Sequence, residues 1–436
     1  MTERFLFYLW QFRLFNQDSL RTSTGEELQI LKPGELNSHA GPDFRNALLK
    51  LGNTIWAGNV EIHIKASDWD LHKHTGDENY DNIILHVVLD SDRIIHRKSG
   101  EPIPCLELKN RVDWTMWDHY KQLLQSRQWI PCSNDFSQAN ESLRSFWLQR
   151  LTINRMERKA LEVEISLKLN NNNLEEAFYW LLARNFGFHV NGVPFELMAK
   201  SLPWLVIAKH RNSLFQLEAL VFGQAGLLED ALKDEYYLNL QKEYRFLQHK
   251  FDLHPIQGHV WKFLRLRPGN FPTLRLAQFA AVLHQSDRLL SQMVHSESLA
   301  EISQVFKVKP SEYWKTHYRF GKLSKTPGNQ LGEAAIQSIL INSVVPMLFL
   351  VNKQHLGQRL QEKALRLLEQ TPEENNEVSR GFESIGFKPN NAFDSQALLE
   401  LKSEFCDKRR CLDCGIGAAL LNPNPNNLSD ACKTVE

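Results

Sequence analysis

The spacing of hydrophobic residues divides the chain into a strand-rich first part and a helical remainder. Between about Leu28 and Lys109, apolar runs of strand length alternate with turn residues. These runs are NALLKL, TIWAGNVEIHIKA, NIILHVVL and RIIHRKSGEPIPCLELK. Gly52-Asn53 stands between the first two runs, which predicts a hairpin turn at that point.

Helical periodicity appears on both sides of the strands. Phe5, Leu9 and Phe12 recur at helical spacing, which predicts an amphipathic N-terminal helix packed on a core. From about Asp135 onward the same periodicity continues, as in a long predicted helix that contains Met156. The predicted fold class is therefore α+β, with an N-terminal strand-rich α/β domain followed by a larger, mostly α-helical domain and a Cys-containing tail.

Three regions follow from these patterns. Residues 1–134 are predicted to form the α/β domain, 135–370 the helical domain, and 371–436 a linker with a Cys-rich tail. The stretch TPEENNEVSRGFESIGFKPNN is polar and interrupted by Gly and Pro, which is typical of a linker. A length of 436 residues also exceeds what one ordinary core requires.

Charge and motif content exclude several functional classes. Lys+Arg and Asp+Glu both total 51, so any nucleic-acid surface must be a local patch. The N-terminus lacks the cleavage site of a signal peptide, and no stretch reaches the roughly 18 uncharged apolar residues that span a bilayer. Neither a GxxxxGK[ST] phosphate loop nor a GxSxG elbow occurs, so nothing indicates nucleoside triphosphate use or a serine hydrolase. We predict a cytoplasmic protein with no membrane partner, and the sequence leaves its oligomeric state open.

The segment from residue 35 to residue 86 has the richest chemistry. Asp43 directly precedes the first strand of the predicted hairpin, and Glu61 lies on the second strand. Because strand side chains alternate, Glu61, His63 and Lys65 share one face, and the isoleucines between them point to a core. Two carboxylates that converge across a hairpin can bind a divalent cation such as Mg²⁺ or Mn²⁺, which prefers oxygen ligands.

Histidines follow directly after this strand. The stretch SDWDLHKHTGDENYD contains four aspartates together with His72 and His74. Imidazoles from this pair would move the metal preference toward Mn²⁺, Zn²⁺ or Fe. His86, alone within NIILHVVL, is expected to be a hydrogen-bonded core residue rather than a ligand.

The Pro-Asp dipeptide that ends at Asp43, followed by Glu61-x-His63, resembles the core of the PD-(D/E)xK nuclease superfamily. The resemblance implies a restriction-endonuclease-like fold in which Asp43 and Glu61 bind the metal. His63 stands where that superfamily usually has Lys, so the basic role passes to His63 or to Lys65. Glu35 would take the place of the extra acid that many such nucleases carry on their first helix. The structural alternative is a solvated strand face beside a turn aspartate.

The whole chain also resembles a family of uncharacterised bacterial proteins that carries only a domain-of-unknown-function label. This resemblance rests on motifs spread along the chain: GPDFRNA, GNVEIHIKASDW, YDNIILHVV, WLLARNFGFHVNGVPFE, VFGQAGLL, RLRPGNFPTLRLAQ, ILINSVVP and CLDCGIG. It implies a shared fold and brings no particular activity with it.

Three of the six cysteines crowd together near the C-terminus with the spacing of metal ligands. They are Cys406, Cys411 and Cys414. A zinc site needs a fourth ligand, and a C-x4-C-x2-C run with a remote fourth Cys also has the spacing of some iron–sulfur sites. The candidates for the fourth ligand are Cys432, Cys132 and Cys105. Zinc or an iron–sulfur cluster is therefore predicted here, with free thiols in a flexible tail as the alternative.

A local basic stretch lies in the helical part. Arg265, Arg267 and Arg275, near Trp261, could grip a phosphate backbone, unless they cap or pair helix ends. Two functions therefore stand side by side. The first is a divalent-metal-dependent nuclease or related phosphodiesterase, with water activated by metal on Asp43 and Glu61 and the choice of DNA or RNA open. The second is a non-catalytic nucleic-acid or protein-binding module with a structural metal in the cysteine cluster.

Overall fold

The protein is described here by a computed structural model that covers residues 1–37, 39–286, 288–324, 330–353 and 359–422. The chain divides into two compact units. Unit 1 comprises Met1–Trp147 and the chain from Leu401 onward, and unit 2 comprises Leu148–Glu400. Unit 1 is built on a sheet and unit 2 is mostly helical, so the predicted α+β class is confirmed.

Unit 1 contains a mixed six-stranded sheet. Its strands are β1 (Leu28–Lys32), β2 (Glu35–Leu36), β3 (Phe44–Leu51), β4 (Thr54–Lys65), β5 (Ile83–Asp90) and β6 (Cys105–Glu107). The spatial order is β1-β3-β4-β5-β6, with β2 beside β3. β1, β3 and β4 are antiparallel neighbours, whereas β5 and β6 continue the sheet in parallel. The parallel β4–β5 pair requires a crossover, and residues 66–82 make it.

The predicted hairpin lies between β3 and β4. Leu51 pairs with Thr54, which leaves Gly52 and Asn53 as a two-residue loop. Gly52 has a φ of 57°, a conformation that such tight loops require. The last predicted strand is much shorter than its apolar run, because Gly and Pro residues interrupt the run before β6.

The first four helices are α1 (Glu3–Gln11), α2 (Asp68–Leu71), α3 (Trp114–Gln125) and α4 (Glu141–Leu169). Helical periodicity predicted α1 and α4, and it did not predict α2 or α3. Phe5 and Leu9 of α1 are fully buried in a core that also contains Phe44 and Ile62 of the sheet. The amphipathic N-terminal helix is therefore confirmed.

Unit 2 has a helical core. Its further helices are α5 (Leu174–Phe186), α6 (Phe188–Ser201), α7 (Trp204–His210), α8 (Leu214–Gln224), α9 (Glu235–Phe251), α10 (Pro272–Gln285), α11 (Leu289–His295), α12 (Leu299–Phe306), α13 (Glu333–Ile339), α14 (Val345–Val351), α15 (Arg359–Gln370), α16 (Glu377–Glu383) and α17 (Ala392–Glu400). A small hairpin of β7 (His317–Arg319) and β8 (Lys322–Leu323) lies among them. The segment predicted as a linker thus contains a helix, α16.

One helical stretch passes the length and composition test for a membrane span, contrary to the expectation from the sequence that none would. It runs over Glu333–Val351, where the π-helical turn Leu340–Val344 joins α13 to α14. Of its most apolar window, 72% is buried inside the protein. Such burial is typical of a core helix in a soluble protein.

From Leu401 the chain belongs to unit 1. A π-helical segment, Leu401–Cys406, leads toward α18 (Gly415–Leu421). Leu412, Ala418 and Leu421 are buried in the same core cluster as α1. The alternative of a flexible tail is therefore wrong for residues 401–422, while Cys432 lies outside the described residues.

Candidate metal centre

Asp43 and Glu61 meet where the β3–β4 pair ends. Phe44 and Val60 are partners in the strand register, so the residues just beyond them, Asp43 and Glu61, lie opposite each other. The backbone N–H of Asp43 donates to Glu61 Oε2 at 3.1 Å. In return, the backbone N–H of Ile62 donates to Asp43 Oδ2 at 2.9 Å. The sheet backbone itself therefore fixes both carboxyl groups beside each other.

These two carboxyl groups are poorly solvated. Glu61 is only 4% exposed. Burial and then the neighbouring Glu61 carboxylate raise the pKa of Asp43 to about 8. Two adjacent acids in such surroundings repel each other when both are ionised, and a bound cation removes that penalty.

Three histidines lie together beside Glu61. His63 follows Glu61 on the same face of β4, and its Nε2 lies 3.7 Å from Glu61 Oε1. His74 comes from the crossover, and its Nε2 lies 3.3 Å from the same oxygen. The ligand nitrogens of His63, His72 and His74 all lie within 4.8 Å of one another. Glu61 and His63 are thus buried beneath the crossover, so the alternative of a solvated strand face is wrong.

His86 supports this group from the next strand. It pairs in register with Glu61, and its Nε2 lies 2.8 Å from His63 Nδ1. On the other side, His63 Nε2 lies 3.1 Å from His72 Nδ1, so three imidazoles form a chain from the interior to the surface. Burial lowers the pKa of His63 to about 2 and the pKa of His86 to about 3. Both rings are therefore neutral, the form that binds metals.

The crossover is held in place by two aromatic residues. Trp69 is 2% exposed, and its indole N–H donates to Thr75 Oγ1 at 3.0 Å. The Tyr80 ring stacks on His74, with ring centroids 3.9 Å apart. Between the two crossover histidines, Lys73 has a left-handed φ of 61°, so the chain turns back on itself there. This turn lets residues only two apart point at the same site.

Sequence reasoning missed Glu3, which begins α1. Its pKa is raised, first by burial, and it interacts electrostatically with Glu61 and with the crossover histidines. Glu35, which the nuclease resemblance placed in the role of an extra acid, is instead exposed on β2 and pairs with Lys32 at 2.8 Å. The signal that could have found Glu3 is an acid placed directly before the apolar stripe of α1.

Lys65 lies apart from the carboxylates. It is exposed at the end of β4, where it pairs in register with Asp90. Within the part of the chain that the structure describes, Lys65 makes no hydrogen bond or ion pair with Asp43 or Glu61. Of the two predicted basic residues, the structure brings only His63 to the site.

The basic stretch of unit 2 is divided between surface and interior. Arg265 and Arg267 are exposed, so a nucleic-acid contact there stays a prediction. Arg275 is 7% exposed, donates to Asn270 Oδ1 at 2.6 Å, and stacks over the Phe188 ring at 4.7 Å. Its guanidinium thus serves the interior of unit 2, as in the structural alternative, and is not available to a phosphate backbone.

The donor set fits a divalent cation. Carboxylate oxygens and neutral imidazoles together suit Mn²⁺, Zn²⁺ or Fe²⁺ better than Mg²⁺, which prefers oxygen alone. The buried Nε2 of His74 has no hydrogen-bond partner among the described residues, although Glu61 lies close. A nitrogen in that position can be satisfied by a metal ion.

A cleft of about 250 Å³ adjoins the site. Trp69, His74, Tyr80, Arg97 and Lys98 are among the residues that line it. The cleft therefore joins a candidate metal ligand to two cationic side chains.

The second predicted metal set also lies in unit 1. Cys406, Cys411 and Cys414 are each 7–8% exposed. None of them forms a disulfide within the described part of the chain. Their thiols are therefore available as ligands.

No curated protein and no solved structure matches the chain. A sequence model described as "Protein of unknown function (DUF2851)" matches residues 3–377. The matched range contains the whole site from Glu3 to His86 and ends before the cysteine run. No match supports the nuclease-like resemblance. The chain belongs to the DUF2851 family.

Proposed function

We propose that unit 1 is a cytoplasmic divalent-metal-dependent nuclease or related phosphodiesterase. The observation that carries the proposal is that His63, His72 and His74 place their ligand nitrogens within 4.8 Å of one another beside Glu61, which in turn contacts Asp43. Glu61 takes part in both halves of this group, because it contacts Asp43 and lies beside His74. A purely structural arrangement would gain little from two crowded acids beside neutral imidazoles.

The chain's own residues divide the work. When bound, a divalent cation neutralises charge on a phosphate and lowers the pKa of a water molecule. Asp43 and Glu61 would hold it with oxygens, and His74 with nitrogen. His63 has too low a pKa to be an effective general base near neutral pH, so we assign it as a ligand. His72 is exposed, and its ligand nitrogen lies within 4.8 Å of those of His63 and His74, so it can complete the ligand set.

His86 is a positioning residue in this proposal. His63 can offer its Nε2 lone pair to a cation only when the ring proton sits on Nδ1. That proton then points at His86 Nε2, 2.8 Å away. Removing such a support typically lowers metal affinity about 10- to 100-fold.

The cleft supports a phosphate-containing substrate. Arg97 and Lys98 line it together with His74, so an anionic group there lies near two cationic side chains and a proposed metal ligand, although Lys98 also pairs with Asp81 at 3.6 Å. Arg97 is held by hydrogen bonds to the carbonyl oxygens of Asp81 and Ile83, which fixes its guanidinium at the wall. Phosphodiesters carry the required charge and react by the chemistry that a divalent cation promotes.

Metal binding and cleavage test the proposal together. Chelator-treated protein should bind Mn²⁺ in calorimetry and should cut single-stranded DNA, duplex DNA, RNA or bis(p-nitrophenyl) phosphate only after Mn²⁺ is restored. Asp43→Asn and Glu61→Gln should abolish binding and cleavage, because each removes one anionic ligand at nearly constant shape. Arg97→Gln should weaken substrate binding and leave Mn²⁺ affinity unchanged.

Glu35→Gln is the matched control, since it removes an exposed acid of the same sheet. It should bind and cut as the parent does. Cleavage that survives both Asp43→Asn and Glu61→Gln would place the active site elsewhere. Mn²⁺ binding without cleavage of any of these substrates would favour the non-catalytic binding module.

A further inference from the structure

Four cysteines from two distant stretches of the chain meet in unit 1. Cys132 follows α3, and the other three lie between Leu401 and α18. Every one of the six pairs among the four thiols is close enough to interact electrostatically. The four are Cys132, Cys406, Cys411 and Cys414.

Independent contacts fix the C-terminal segment against the stretch that carries Cys132. The Arg409 guanidinium donates to the carbonyl oxygen of Ser126 at 2.7 Å. The Lys402 ammonium lies 4.4 Å from the centre of the Trp129 ring. The two cysteine-bearing segments are thus held together by contacts that do not involve sulfur.

Burial of the sulfurs disfavours thiolates in the absence of metal, and two features of their surroundings offset this. The backbone N–H groups of Ile416 and Gly417 donate to the Cys414 sulfur, and Arg409 lies close to Cys411. A Cβ at residue 417 would come within 2.4 Å of the Cys411 carbonyl oxygen, so this close turn requires glycine. N–H donors and nearby cations stabilise the negative charge of a thiolate cluster.

The spacing of the sulfurs favours a cluster over one ion. Among the described residues, the three site histidines form the one group of ligand atoms within 4.8 Å of one another, so the sulfurs are spread more widely. A single zinc ion with bonds of about 2.3 Å would hold four sulfurs roughly 3.8 Å apart. An iron–sulfur cluster holds four cysteines further apart, because each sulfur binds a different corner or edge. We propose that Cys132 is the fourth ligand of an iron–sulfur cluster formed with Cys406, Cys411 and Cys414.

Elemental analysis of the full chain, purified without oxygen, tests the proposal. Iron and acid-labile sulfide should be present in equal amounts, with visible absorption that bleaches on reduction. The same signal should return when stripped protein is incubated with ferrous iron and sulfide. Asp43→Asn should keep the cluster, so the presence of the cluster is measured independently of any nuclease activity.

Cys132→Ser should lose iron, sulfide and absorption as fully as Cys411→Ser does. Cys105→Ser is the matched control, because Cys105 is equally buried, lies on β6 and donates to Ser91 Oγ instead. It should keep a full cluster. Circular dichroism of each variant shows whether the fold is intact.

A labelling experiment covers the case in which Cys132→Ser does not fold. In the folded parent, the four thiols should resist alkylation until iron is removed, and all four should then react together. A cluster that persists in Cys132→Ser would overturn the fourth-ligand assignment. Stoichiometric zinc without iron would overturn the cluster, and protein with neither metal would overturn the site.

Discussion

Two buried histidines make the stability of the metal-free protein depend on pH. His63 and His86 have folded-state pKa values of about 2 and about 3, against about 6.5 in an unfolded chain. Between these limits the unfolded state binds more protons than the folded state. The contribution of the two neutral imidazoles to the free energy of unfolding is therefore complete above pH 6.5 and is lost as pH falls toward 3. For His86 alone, the loss amounts to about 2 kcal/mol at pH 5.

Urea unfolding of chelated protein at pH 7.5 and pH 5 measures this dependence. His86→Gln should lose less stability than the parent over that interval, because one titrating group is gone. Comparing variant with parent is necessary, since the raised pKa of Asp43 acts in the opposite direction. His254→Gln is the control, because His254 is exposed and should leave the slope as it is. If the free energy of unfolding of His86→Gln and that of the parent change equally between the two pH values, the pKa of His86 in the folded protein is not lowered.

In the absence of metal, the Asp43 carboxylate should lower the free energy of unfolding. Its carboxyl is buried beside Glu61, and ionisation there is unfavourable. Asp43→Asn keeps an oxygen that can accept the Ile62 N–H, and it removes the charge. At pH 8 to 9 and with chelator present, we expect the variant to be more stable by about 1 kcal/mol or more. Thermal unfolding with and without Mn²⁺ measures this, and the order should reverse when the metal is added.

The alternation of side chains along a strand was sufficient to find some residues of the two candidate metal sites and insufficient for others. Glu61 and His63 could be placed on one face because strand side chains alternate. The register set by the hairpin turn would pair Asp43 with Ile62, and a bulge between Phe44 and Ala47 shifts the register by one residue, which brings Asp43 opposite Glu61. Glu3 and Cys132 could not be found in this way. Each reaches its partners only through the packing of distant segments, which no local periodicity encodes.

At the scale of elements, the close β4–β5 pairing depends on a glycine. A Cβ at Gly58 would lie 2.5 Å from Ile84 Cγ2 and 2.8 Å from the Asn82 carbonyl oxygen. Gly58→Ala should therefore push β5 away from β4 and cost about 1–3 kcal/mol. Because Glu61 and His86 are partners in that register, Mn²⁺ affinity should fall as well.

Gly269→Ala is the appropriate comparison for Gly58→Ala. No atom lies within 4 Å of a Cβ added at Gly269, so its unfolding midpoint should stay close to that of the parent. Equal midpoints for both variants would mean that β4 and β5 can separate without strain.

The π-helical turn between α13 and α14 places an amide in a polar network of unit 2. Asn342 Oδ1 accepts from the Lys159 ammonium at 2.6 Å, and the Asn342 carbonyl oxygen accepts from Asn185 Nδ2 at 3.0 Å. Burial lowers the pKa of Lys159 to about 7, so its ammonium depends on acceptors such as Asn342 Oδ1. Asn342→Ala should lower the free energy of unfolding by about 1–3 kcal/mol. Chemical denaturation checks this, with Gln257→Ala, at an irregular surface segment, as the neutral reference.

The helical periodicities were informative at this scale, and the irregular elements were not. Phe5 and Leu9 predicted α1, and the Pro of the FPTLRLAQFAAVL stretch marks the start of α10 at Pro272. The crossover that carries His72 and His74 has no period, because its short turns are fixed by Trp69 and Tyr80. Their convergence on Glu61 therefore needed the tertiary structure.

At the scale of the whole molecule, unit 1 depends on residues that follow unit 2. Leu412, Ala418 and Leu421 belong to its core, and the Tyr8 hydroxyl donates to the Ala418 carbonyl oxygen at 3.2 Å. A chain that stops after Glu400 should expose the core of unit 1 and leave that of unit 2 intact. Limited proteolysis should then cut early within residues 1–147 and late within 148–400. Early cutting of both units would show that unit 2 is not stable by itself.

The two-part composition of unit 1 also sets an order of events on the ribosome. In the sequence, unit 2 stands wholly between the two parts of unit 1, so the residues of unit 2 have all been synthesised before the second part of unit 1 emerges. Domains generally fold as units during synthesis. Unit 1 must wait without its C-terminal part while some 250 residues are translated, although all six strands of its sheet have been made. At the ~5–20 residues per second of synthesis, that wait lasts on the order of tens of seconds. During that interval the apolar surface that Leu412, Ala418 and Leu421 later cover is open to a chaperone. A metal held by Cys132 together with the three later cysteines can enter only after Cys414 has been made.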